Sequence, residues 1–214
     1  MGAKDKREKE RLEAIHNRKS DVINAAKVIF AEKSIEKTTM QDIALRAEVG
    51  VASVYRYYTT KMELVMEVAK DYWENELSYD HSLLFGTGIE QTLQIMNYLS
   101  LKFSENPSML VFMDQLDSFV MSWKDQYPMD EYSKMVTNNL PILTGIIEKG
   151  KLDGTIRKDI CAQEAGGTCL DLFIALAQKL ILREKVLKSS CQINVLTALA
   201  VYKEMIIKYL ETAS

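Results

Sequence analysis

Apolar residues recur at spacings of three and four along most of the 214-residue chain, the period of helices with one buried face. Val22, Ala25, Ala26, Ile29 and Phe30 form such a stripe between Asp21 and Glu32. Two shorter patterns follow. Ile43, Ala44 and Ala47 give a helix beginning near Met40 one small apolar face, and Val54 and Tyr58, four apart, share a face of a second helix. Leu64, Val65, Val68, Tyr72 and Trp73 then lie on a stripe that reads as one long helix from Lys61 to Leu84, ended by Phe85-Gly86-Thr87-Gly88. Helical periodicity resumes over Ile89–Ser104, Met109–Lys124, Met129–Lys149 and Cys161–Lys188. Asn106-Pro107, Tyr127-Pro128 and Gly150 to Gly154 separate these segments, and Pro141 should kink or interrupt the third. With no strand hairpin and no internal repeat in view, the pattern predicts an all-α chain. Its domains should be a head over 1–62, with a charged N-terminal arm, and a helical body over 63–214.

The two short patterns near residue 40 have the form of a helix-turn-helix. Thr39 can accept from the free N–H groups of the first helix, and Asp42 three residues on can reach back to the cap. Glu48-Val49-Gly50 follows, with the glycine expected to supply the backbone angles of the turn. Because Val54 and Tyr58 take the inner face of the second helix, Val51, Ala52, Ser53, Tyr55 and Arg56 point elsewhere. Small residues at the start of such a helix suit entry into a major groove. Arg56 can donate to guanine or phosphate and Ser53 to either. Val51 and Ala52 can touch a thymine methyl, while Tyr55, Tyr57 and Lys61 can bond phosphates.

FAEKS at 30–34, TTMQDIA at 38–44 and VASVYRYYTTKMEL at 51–64 together resemble the tetracycline-repressor (TetR) family of bacterial transcription regulators. The resemblance spans Asp21 to Leu64. It implies that Thr39 caps the helix fronting the DNA backbone, that Val51, Ala52, Ser53 and Arg56 lie on the recognition face, and that Tyr55, Tyr57 and Lys61 match phosphate-contacting or adjacent positions. Ser34 stands where the family usually ends its first helix with glycine. Gly50 stands where a serine or threonine commonly caps the recognition helix.

Charge agrees with a nucleic-acid role confined to the head. The net charge is −3, but Met1 to Met62 holds 13 basic and 9 acidic residues, while Glu63 to Ser214 holds 14 basic and 21 acidic. The run from Lys4 to Lys19 mixes both signs. It reads either as a solvated helix or frayed arm, or as a segment in which Lys6, Arg7, Lys9 and Arg11 track phosphates. No apolar run reaches the ~20 residues that a bilayer requires, the first residues are charged where a signal peptide is apolar, and Lys6 spoils a myristoylation motif. The expectation is a cytoplasmic protein with no membrane partner.

Enzyme signatures are missing: no G-x-x-x-x-G-K-[ST], G-x-G-x-x-G, H-E-x-x-H or G-x-S-x-G occurs. His16 and His81 read as surface residues, and Cys161, Cys169 and Cys191 as small core residues outside any metal-ligand spacing. No metal, cofactor or catalytic residue is expected.

Two features of the body call for partners. Leu170, Leu172, Phe173, Ile174, Leu176, Ala177, Leu180 and Ile181 cover most of one helix, and Val195, Leu199, Tyr202, Ile206 and Tyr209 form a near-heptad stripe on the last. A homodimer through these two helices is expected, with Phe173, Leu176, Leu180, Val195, Leu199, Tyr202 and Ile206 at the interface. The body is also rich in Met and aromatic residues, the side chains of an adaptable pocket. Trp73, Met96, Phe103, Met109, Met113, Trp123 and Phe173 are candidates to line it, and the resemblance implies an inducer there. Asp114 and Asp117 either edge an apolar face or, Asp117 in particular, enter the core to meet a cationic ligand.

The reading is a regulator that binds a palindromic double-stranded DNA operator as a dimer and is released by a small lipophilic ligand. Two rivals stand beside it. An enzyme with a pocket in the body predicts turnover, and a regulator whose body binds a protein predicts a body without an enclosed cavity.

Overall fold

A computed structural model describes residues 3–123, 129–138, 140–191 and 193–212. The elements in order are α1 (Ala3–Lys33), α2 (Met40–Arg46), α3 (Val51–Tyr57), α4 (Lys61–Asp71), α5 (Gly88–Glu105), α6 (Pro107–Ser122), α7 (Asp130–Thr137), α8 (Leu140–Asp153), α9 (Ala162–Leu182), the single turn α10 (Glu184–Val186) and α11 (Val195–Leu210). Among the described residues the one β-type pairing is an isolated antiparallel bridge between Ile156 and Glu211.

The chain forms two compact units, Met1–Tyr72 with Asp114–Tyr127, and Trp73–Met113 with Pro128–Ser214. The boundary thus differs from the expected division at Met62. Residues 63–72 bury Leu64, Val65, Val68 and Ala69 in the first unit, so the apolar stripe of α4 belongs with the head. The single helix expected from Lys61 to Leu84 is also absent. After Asp71 the chain makes a wide π turn over Tyr72–Glu76 and, after a break, a 3-10 turn over His81–Leu83 capped by Asp80. Pro141 falls in the first turn of α8, where its missing N–H costs nothing, so it separates α7 from α8 without kinking either. Gly150 does not end α8, which runs to Asp153 before Gly154 turns at φ 83°. The Tyr127-Pro128 break lies outside the described residues.

In the first unit the core is Val22, Ala26 and Phe30 of α1, Ile43 and Ala44 of α2, Val54 of α3, the α4 stripe, and Leu116 and Val120 of α6. Ser34 ends α1 in the left-handed region at φ 75°. In the second unit, α5 crosses α8 at Gly88 and Gly150, a crossing without side chains: a Cβ on Gly88 would stand 2.3 Å from Gly150 Cα. Phe103, Phe173 and Tyr202 stack in series across α5, α9 and α11, with ring centroids 6.2 and 6.4 Å apart. Arg157 donates its backbone N–H to Leu210 O at 2.9 Å, tying the C-terminal end to the loop after α8.

Candidate nucleic-acid interface

Local chemistry builds the α2–α3 pair. Asp42 donates its N–H to Thr39 Oγ1 at 3.2 Å while Thr39 N–H donates to Asp42 Oδ2 at 2.9 Å, a closed capping box. Lys33 adds an ion pair to Asp42 at 2.6 Å. These donors, Lys33 first, hold the Asp42 carboxyl at about 2. The turn differs from the expectation in one respect. Glu48, not glycine, takes the left-handed conformation at φ 53°, whereas Gly50 sits at φ −67° as the N-cap of α3, with no side-chain oxygen to offer.

Val54 of α3 and Tyr58, the C-cap that follows it, are buried, at 0% and 2% exposure, and hold the helix to the core. Val51, Ala52, Tyr55 and Arg56 are exposed; Ser53 and Tyr57 are half-buried. The face therefore presents two small apolar residues, three hydroxyl groups and a guanidinium at one surface. Arg56 is held close to its own helix. Its Nη2 donates to Tyr57 Oη at 3.3 Å and to Ser53 Oγ at 3.5 Å, and its guanidinium stands 5.2 Å from the Tyr57 ring. Arg56, and after it Arg18 from α1, draw the Tyr57 phenol below its ordinary value. Arg18 and Lys19, whose ammonium lies 5.9 Å from the Tyr58 ring, are cations beside the recognition helix that the sequence reading left unassigned. Their position just ahead of the amphipathic stretch of α1 was the available signal.

Lys61 departs from the phosphate-binding role. Its ammonium donates to the carbonyls of Ile35 at 2.8 Å, Glu36 at 2.9 Å and Thr38 at 3.0 Å, which uses all three of its hydrogens. The same ammonium lies 5.3 Å from the Phe119 ring. The loop over 34–38 leaves these carbonyls without helical partners, and Lys61 satisfies them. Ile35 N–H in turn donates to Gln115 Oε1 at 2.8 Å, so α6 secures the same loop.

The residues expected to bind a ligand are divided between packed core and surface. Met96, Phe103, Met109, Met113 and Phe173 are core residues, none more than 5% exposed. Trp73 is half-buried in the second unit, whereas Asp117 and Trp123 belong to the first and are exposed, so Asp117 does not enter the core. Of the set, Phe103 lines a cavity of about 190 Å³ within the second unit, together with Pro107, Leu110, Ile181, Val195 and Leu199. A wider hollow of about 600 Å³ opens between α9 and α11 beside Cys161, Cys169, Leu172, Tyr202 and Met205. Cys161 is exposed, not a core residue, while burial raises the half-buried Cys169 thiol. The side chain of Cys191 lies outside the described residues.

The interface set divides similarly. Phe173, Leu180, Leu199 and Ile206 face their own core, while Leu176, Val195 and Tyr202 are half-buried. The apolar side chains of α9 and α11 that stand outward are instead Leu172, Leu182, Leu196, Val201, Met205 and Tyr209, each 47% exposed or more. By length and composition α9 is apolar enough to cross a membrane, contrary to the expectation that no segment is. Those two properties are shared by core helices, and Phe173, Ala177 and Leu180 of α9 are buried inside the unit.

A capped helix, a short turn and a second helix with a small, polar and cationic outer face define a helix-turn-helix regulator of transcription. Residues 22–68 match the family described as bacterial regulatory proteins, tetR family. Over 147 residues it is 24% identical to the HTH-type transcriptional repressor KstR2 of Rhodococcus jostii (strain RHA1), covering 67% of this chain and 70% of that one. Its fold is similar to that of the fatty acid degradation regulator FadR of Bacillus halodurans, with a TM-score of 0.73 at 12% identity over 89% of this chain and 94% of that one. It is also similar to that of FadR of Bacillus subtilis, solved in complex with stearoyl-CoA, with a TM-score of 0.70 at 14% identity over 90% and 99% of the two chains.

Proposed function

We propose that the protein is a cytoplasmic repressor that binds a palindromic operator as a homodimer and leaves it when a small lipophilic molecule enters the helical body. The observation that supports this most is the division of α3: Val54 and Tyr58 are consumed by the core, while Val51, Ala52, Ser53, Tyr55, Arg56 and Tyr57 remain for the groove and its phosphates. Thr39 fronts the backbone from α2. The dimer is proposed to use the outward apolar side chains of α9 and α11, since a two-fold pairing of that face covers them in both copies.

The ligand is proposed to enlarge the cavity lined by Phe103 and Leu110, whose walls are mainly apolar, with Ser104, Glu184 and Asn194 as their polar members, and whose present volume is about 190 Å³. The helix α6 contributes Leu110 to that wall and, further along, Gln115 and Phe119 to the head. It is thus the proposed carrier of the signal, in place of the helix beginning at Lys61. A ligand that favours one placement of α6 lowers operator affinity by the same factor by which DNA lowers ligand affinity.

A mobility-shift titration on DNA flanking the protein's own gene tests the reading, with and without lipophilic compounds that include a long-chain acyl thioester of the kind bound by the Bacillus subtilis neighbour. Wild-type protein should retard a duplex that Arg56→Ala binds about 1–3 kcal/mol more weakly and with relaxed base preference. Unchanged affinity and preference in Arg56→Ala would remove that residue from the interface, and ligand binding without DNA release would remove the coupling.

A further inference from the structure

The helix α1 is 31 residues long, yet its buried positions begin only at Val22. From Asp5 to Asp21 every side chain is exposed except the half-buried Ile15. At 1.5 Å per residue, the part of α1 ahead of Arg18 extends roughly 22 Å beyond the point where Arg18 meets Tyr57 of the recognition helix.

The charges on this extension are sorted by face. At 3.6 residues per turn, Arg7, Arg11 and Arg18 fall within about 60° of Val22, Ala25 and Ile29, the positions by which α1 packs on the head. Asp5, Glu10 and Glu13 lie about 90° or more from that line. Lys6 and Lys9 pair with Glu10 and Glu13 at 3.9 and 3.8 Å on the far side, whereas Arg11 meets Glu8 at 3.9 Å. All three pairs are well exposed, so they hold their cations weakly. Arginines spaced four apart on one face of a solvated helix repel each other, a cost that an anionic surface relieves.

We infer that the N-terminal extension of α1 is a second DNA-binding element, in which Arg7, Arg11 and Arg18 form one stripe along the phosphates flanking the half-site read by α3. The inference rests on the DNA-binding reading of the head. Of the interleaved acidic residues, Asp5, Glu10 and Glu13 occupy other faces, and Glu8, which meets Arg11 at 3.9 Å, is the one beside the stripe. The ligand class is duplex phosphate without base preference, because the three side chains of the stripe are long cations suited to a backbone charge.

The test uses the full-length protein and a duplex selected by the wild type from a random pool, prepared in a minimal length and with eight extra base pairs on each side. Wild type should bind the extended duplex more tightly than the minimal one, and R7Q/R11Q should bind the two alike. The slope of log affinity against log salt should fall by roughly 2 per protomer in R7Q/R11Q, so that between 50 and 200 mM salt the variant loses roughly tenfold less affinity per protomer than the wild type. E10Q/E13Q, on the far side, should keep the wild-type slope or steepen it. Equal slopes and equal length dependence in wild type and R7Q/R11Q would overturn the arm while leaving the head's role intact. Failure of the wild type to select any duplex would overturn the DNA-binding reading itself.

Discussion

The ammonium of Lys61, at the first position of α4, lies 2.8 Å from the carbonyl oxygen of Ile35, and through it the loop that follows α1 is fastened to the start of α4. Lys61→Met keeps the aliphatic stem near Phe119 but withdraws three donors from carbonyls that have no helical partners. We expect a loss of about 2 kcal/mol in urea unfolding. The salt slope of DNA binding should not change, because a lysine spent on carbonyls releases no counterions from phosphates.

Backbone strain in the turn gives the opposite sign. Glu48 adopts φ 53° without being glycine, so Glu48→Gly should stabilise the protein by about 1 kcal/mol in thermal unfolding. A Cβ on Gly50 meets nothing within 4 Å. Gly50→Ser should therefore be accepted and add a few tenths of a kcal/mol through the cap that α3 lacks.

Tyr58 is 2% exposed and its hydroxyl has no hydrogen-bond partner among the described residues. Burial, reinforced by Glu67, Glu63 and Asp71, pushes the phenol up to about 12. Tyr58→Phe removes an unsatisfied polar atom and keeps the ring, so the variant should unfold at the same denaturant midpoint as the wild type or at a higher one. A marked loss of stability would show that the hydroxyl has a partner.

The crossing of α5 and α8 tolerates no side chain at Gly88, because its Cβ would meet the backbone of Gly150. Gly88→Ala should cost about 2–3 kcal/mol by forcing the helices apart, read as a lower thermal midpoint.

Acid should release the cap of α2. The Asp42 carboxyl titrates at about 2 in the folded protein against a usual 3.8. A depressed native value stabilises the fold above pH 3.8, and the contribution is lost as the pH falls toward 2. Wild-type stability should therefore decline more steeply than that of Asp42→Asn between pH 4 and 2, measured by chemical denaturation at each pH.

Much of the head was legible in the chain because its signals are local. Thr39 and Asp42 close a capping box between residues three apart, and Val54 and Tyr58 claim the inner face of α3 by spacing alone. The roles of Lys61 and Gln115 were not legible, since their partners are 26 and 80 residues away in sequence. A lysine beside a recognition helix looks the same in sequence whether it meets a phosphate or a set of carbonyls.

The body divides along the same line. Its helical periodicity determined which segments coil, but a stripe that is apolar nearly all round does not say which side faces the protomer's own core. The fold places Phe173, Leu180, Leu199 and Ile206 inward and leaves Leu172, Val201 and Met205 outward. It likewise buries Met96, Met109 and Met113 in packed core and leaves Asp117 in solvent. Helix formation and capping depend on neighbours within about one turn, which the order of residues specifies directly. Burial, cavity walls and the partners of a long cationic side chain depend on elements distant in sequence, and only their packing together decides them.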